Sequence, residues 1–108
     1  MVGDVEALVR KGMEFLDERY PAHALGVDLE TLDVRDSQTC PIAQAHGGYY
    51  SEGVAAQRLT HVKAISLGFN MVFLTSDQYN RTADALNAEW RRQYEDRKSA
   101  NLKSRNDI

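Results

Sequence analysis

Between Ser76 and Lys98 the larger apolar side chains fall at Tyr79, Ala83, Leu86, Trp90 and Tyr94, at steps of four, three, four and four. Such steps keep all five on one stripe of a helix with about 3.6 residues per turn. No Gly or Pro interrupts the stretch. The spacing therefore predicts one long helix over 76–98, about 33 Å from end to end. It carries the only tryptophan of the chain, and the remaining segments are expected to close against it. A second stripe, Val5, Leu8, Val9, Gly12, Met13, Leu16 and Tyr20, predicts a first helix over 4–20. Asp4 is its expected N-cap, Glu6 suits the positive end of the helix dipole, and Pro21 disfavours helix at the residue before it. Gly12 on that stripe points to a close helix crossing.

Between the two helices the pattern is short-ranged. In 27–34 the apolar residues Val27, Leu29, Leu32 and Val34 alternate with acids, which suits a helical turn capped by Asp28. The alternative is an extended segment, for which only 70–74 offers a pairing partner. Asp36 or Ser37 can cap a short helix over 38–46, with Pro41 in its first turn and Gly47 as the stop. Gly48, Tyr49 and Tyr50 then form a loop, and Ser51 can cap a turn running to Gln57. Thr60 caps a helix over 61–67 that Gly68 closes, returning Phe69 to the core. The run 71–74 is an apolar connector, and Thr75 or Ser76 caps the long helix. From 99 to 108 the apolar periodicity is lost, so a frayed tail is expected. The fold class is accordingly a mainly α single domain, two principal helices with several short helical turns between them.

Composition narrows the picture without redirecting it. With 108 residues, 43% of them hydrophobic and 27% charged, the chain has enough apolar surface for one modest core. A net charge of −3 gives no overall attraction to nucleic acid or to an anionic membrane. The charge is unevenly spread: residues 1–36 hold nine acids against four bases, whereas 77–108 hold six against seven. A single cysteine excludes an intramolecular disulfide and a Cys-rich metal site. No run approaches the length of a membrane span and no apolar leader opens the chain, so a cytoplasmic, reducing setting is expected.

The order LDERYP, VDLETLDV, CPIAQAHGGY, SLGFN and LNAEWRRQYEDR resembles a group of small proteins encoded by actinobacteriophages and related actinobacterial genomes. The resemblance covers roughly residues 8–98. Cys40, Gln44 and Gly47 match that group's pattern, whereas Pro41, Ala43 and His46 depart from it. The group's Pro-Gly-Trp after the first helix is Pro21-Ala22-His23 here, a further departure. The resemblance implies an origin, in the host cytoplasm if phage-encoded, and brings no activity with it.

Chemistry-bearing residues are few. Cys40 is a weak thiol candidate, since a nucleophile would need a thiolate with His23, His46 or His61 in reach. Burial in the core is the competing account of a lone cysteine. The same four residues lack the short spacings of a zinc site, and Asp28, Glu30, Asp33 and Asp36 lack the order of a calcium loop. Gly47-Gly48 matches no phosphate-binding fingerprint. Gln44, one turn beyond Cys40, is expected to close a backbone hydrogen bond. Arg91, Arg92, Arg97 and Lys98, followed by Lys103 and Arg105, form a basic helix end beside Tyr94. Such an end can meet phosphates, or can serve its own helix through the dipole and through pairing with Glu89, Glu95 and Asp96. Trp90 and Tyr94 belong to the same stretch and either pack inside the protomer or join a self-association surface.

No catalytic residue, metal site or cofactor is assigned. The expected role is a non-enzymatic interaction or accessory protein with a host or phage protein as partner. The alternatives are a small nucleic-acid-binding regulator using the basic helix end, and a cysteine-dependent enzyme.

Overall fold

Among the described residues of the computed structural model six helices follow one another: α1 (Val2–Arg19), α2 (His23–Gly26), α3 (Pro41–His46), α4 (Tyr50–Ala56), α5 (His61–Ser66) and α6 (Ser76–Asn106). The structure describes residues 2–71 and 75–106, with side chains for 5–71 and 75–99. The chain is mainly helical, and no strand occurs among the described residues. The extended alternative for 27–34 is therefore replaced by hydrogen-bonded turns, in which Asp28 accepts from the Glu30 N–H at 3.0 Å. Of the 71–74 connector only Met71, which is buried, lies within the described residues.

The long helix is the axis of the molecule. Ala83, Leu86, Trp90 and Tyr94 are all buried and Tyr79 is partly so, as the stripe predicts. Packed against them are Val9, Met13 and Leu16 of α1, with Leu32, Ile42 and Phe69 from the intervening segments. Trp90 is 0% exposed; its ring stacks on Phe69 at 5.9 Å and its Nε1–H donates to the Gly68 carbonyl at 2.9 Å. Gly68 has a left-handed φ of 76°, the backbone state that glycine adopts without strain. The Phe69 N–H returns to the Ala64 carbonyl at 3.0 Å, so this helix end turns the chain back into the core.

Several boundaries differ from the sequence expectation, each for a local reason. Helix α1 begins at Val2 and runs through Asp4, ending at Arg19 ahead of Pro21. Helix α3 begins at Pro41 because proline forces extended backbone on the residue before it; Cys40 has ψ 160° and becomes the N-cap. Asp36 still closes a turn, accepting from the Gln38 N–H at 2.7 Å. Ser51 lies inside α4, whose start is secured by Glu52 accepting from the Tyr49 N–H at 2.8 Å. Thr60 and Thr75 accept from Lys63 and Gln78 as N-caps should. Helix α6 runs past the expected end at Lys98 to Asn106, since nothing between 98 and 106 is Gly or Pro; the last two residues of the expected tail lie outside the described residues.

A polar face of α6 carries the irregular segment between α2 and α3. Asn80, Asp84, Asn87 and Arg91 recur at helical spacing and all meet that segment. Asn87, buried, accepts from the Val34 N–H at 2.8 Å and donates to Asp33 at 3.0 Å. Arg91 reaches the carbonyls of Leu29 and Leu32 at 2.9 and 2.7 Å. Arg35 closes the edge on Asn80 at 3.0 Å, with Asp84 3.6 Å away. Backbone groups that would form a ladder in regular structure are thus satisfied by side chains from one helix. From the other side, Gln44 accepts from the Asp28 N–H and donates to the Asp28 carbonyl, as a neighbouring peptide unit would.

Candidate interaction surface

Of the residues that the sequence suggests for a surface, Trp90 and Tyr94 are the clearest correction. At 0% and 1% exposure they belong to the core of the protomer, because their stripe faces α1 and Phe69. The basic cluster is likewise redistributed. Arg91 is committed to the 29–32 carbonyls. Arg92 binds Glu89 and reaches Asp96 at 3.0 Å, and this guanidinium holds the Glu89 carboxyl below the usual carboxylate range. Arg97 pairs with Asp17 of α1. Lys98 is half-buried. Arg91, Arg92 and Arg97 are thus each engaged within the fold, while Lys103 and Arg105 lie outside the described side chains.

Cys40 is 1% exposed, and burial pushes its thiol up to about 11. At neutral pH it is protonated, which removes the thiolate that nucleophilic attack would require. The histidines lie apart. His46 shares a hydrogen bond with the Tyr20 hydroxyl at 3.1 Å, and Gln57 donates to that same hydroxyl at 3.0 Å. His61 is exposed at the start of α5. His23 is buried between Tyr94 at 2.7 Å and Asp17 at 2.9 Å. Among the described residues, no group of three His, Cys, Asp or Glu side chains could hold a metal ion. No described helix is long and apolar enough to cross a membrane.

A groove runs along the solvent side of α6 where it meets the start of α1, with a volume of about 500 Å³. Its floor is Val5, Thr82, Ala85 and Ala88; Arg81, Glu89 and Arg92 rise at its margins. The depression follows from side-chain length, since two alanines one turn apart lie between long charged neighbours. Arg92 is neutralised by Glu89, but among the described residues no carboxylate lies within ion-pair distance of Arg81. Its Nε only approaches the Asp77 carbonyl, at 3.4 Å. The groove offers an apolar floor with, among the described residues, one cation that no carboxylate pairs, Arg81, at its amino-terminal end.

Sequence reading missed this groove because alanine carries so little periodic signal. It also missed the His23 cluster, whose members Asp17, His23, Tyr94 and Arg97 are brought together only by the packing of α1 and α2 on α6. No family model matches the chain, and no curated protein or solved structure matches it.

Proposed function

We propose that the chain is a non-enzymatic accessory protein that works by holding a protein partner, and that the α1–α6 groove is where it does so. The groove is the observation that carries this reading. Exposed alanines let another backbone approach closely, and the ends marked by Arg81 and Arg92 lie about 16 Å apart along the helix, the length of three helical turns. The occupant that suits it is an amphipathic helix with a small apolar face and a carboxylate at the end that meets Arg81. The resemblance to small actinobacteriophage proteins supports a phage accessory role, with a host or phage protein as the occupant.

The test is a photo-crosslinking residue at Ala85, used in cells with and without Ala88→Arg, and compared with the same crosslinker at exposed Val62. A protein captured from Ala85, lost on Ala88→Arg and absent from Val62 supports the reading. Identical captures at both positions overturn it, and a captured second copy of the chain replaces it with self-association. The nucleic-acid alternative predicts salt-sensitive binding to DNA or RNA that weakens on Arg92→Ala. With Arg91, Arg92 and Arg97 engaged within the fold, it has the weaker physical support.

A further inference from the structure

His23 ties three helices together at one point, and both of its ring nitrogens are occupied. Asp17, as a carboxylate, can only accept, so Nε2 carries a hydrogen and donates to it. In the neutral ring Nδ1 is then an acceptor, and the Tyr94 hydroxyl donates to it. A second proton would arrive on Nδ1, facing the Tyr94 oxygen. Tyr94 would have to accept instead of donate and to turn its own hydrogen elsewhere. Among the described residues that hydroxyl has no second partner, and Tyr94 is buried, so the displaced hydrogen would be stranded.

We propose that this cluster is a proton-operated latch: when His23 takes up a proton in mildly acidic solution, α2 and the elbow before it detach from α6 and the cleft between that elbow and α3 widens. The cleft is already present, about 350 Å³ in volume and lined by Tyr20, Pro21, Ala22, His23, Gln44 and Ala45. Its moving wall is slight. Helix α2 has four residues, flanked by hydrogen bonds from His23 to Tyr20 and from Leu25 to Ala22.

The groups that face His23 set its response. Burial opposes the charged ring. From α1, Asp17 favours it through a hydrogen bond and its charge. From α6, Arg97 disfavours it, and Tyr94 supplies the hydroxyl. The balance lies below the ordinary value of 6.5. From α3 the titratable neighbour is His46, held by Tyr20. Because the folded ring binds its proton less readily than the unfolded one, the latch holds fully above about pH 6.5 and lets go as pH falls through the folded value.

The test uses the full chain, followed from pH 7.5 to 5 by the His23 ring resonances and by amide exchange. Protection of the His23 and Leu25 amides should fall with His23 protonation, by about tenfold for each unit of pKa depression. Asp17→Asn should move the His23 midpoint to lower pH and Arg97→Gln to higher pH, while His46→Gln leaves it in place. Opposite shifts in the two variants, each carrying the loss of amide protection with it, support the latch. Protection that is unchanged between pH 7.5 and 5, or that falls without following the His23 midpoint, overturns it.

Discussion

Gly12 of α1 lies against the Leu67 carbonyl so closely that a β-carbon added there would be 2.0 Å from that oxygen. The same atom would meet the Trp90 ring at 2.8 and 2.9 Å. The missing side chain is what allows α1, the end of α5 and α6 to converge.

Gly12→Ala should therefore cost about 3 kcal/mol, because backbone rather than a flexible side chain blocks the added methyl. Gly26→Ala, where a β-carbon meets nothing within 4 Å, should stay within about 0.5 kcal/mol. Urea melts followed by circular dichroism distinguish the two, and equal losses would contradict the crossing described above.

Trp90→Ala should cost about 3–5 kcal/mol, enough to threaten a domain of ordinary stability. Trp90→Phe keeps most of the ring against Phe69 but leaves the buried Gly68 carbonyl without its donor, and should cost about 1–3 kcal/mol. A loss under about 1 kcal/mol for Trp90→Ala would place the indole outside the core.

Asn87→Leu should destabilise by about 1–3 kcal/mol by orphaning the Val34 N–H in the core. Its signature is local as well as global: limited proteolysis should cut sooner within 28–36. Asn87→Asp should do worse, since a carboxylate would face Asp33, which already lies close enough to accept from Asn87.

Cys40 should resist thiol reagents at pH 7–8 until the chain opens. Labelling should accelerate with denaturant in step with unfolding, because both burial and the raised pKa oppose reaction in the folded state. Rapid labelling in native buffer would reopen the cysteine-dependent alternative.

The helices were legible wherever apolar side chains repeat with the helical period. Tyr79 to Tyr94 and Val5 to Tyr20 mark the two stripes that meet in the core, and Thr60 with Gly68 marks both ends of α5. Gln44 was legible too, as a side chain that closes a backbone hydrogen bond. What escaped was polar and long-range. Nothing local announces that Asn87 and Arg91 will satisfy a segment more than fifty residues earlier, or that Arg97 will cross to Asp17. Basic side chains near a helix end look alike in sequence, and only packing shows which are engaged. The groove escaped for the opposite reason, being made by the shortness of Ala85 and Ala88.

The polar face of α6 also sets the order in which the chain can mature. During synthesis the 28–36 stretch is made long before Asn87 and Arg91, so its amides and carbonyls must stay hydrated in the interval. Val9, Met13 and Leu32 wait as well, for an indole that arrives with residue 90. A nascent chain halted before that point would expose these apolar groups and offer a ready substrate for chaperones.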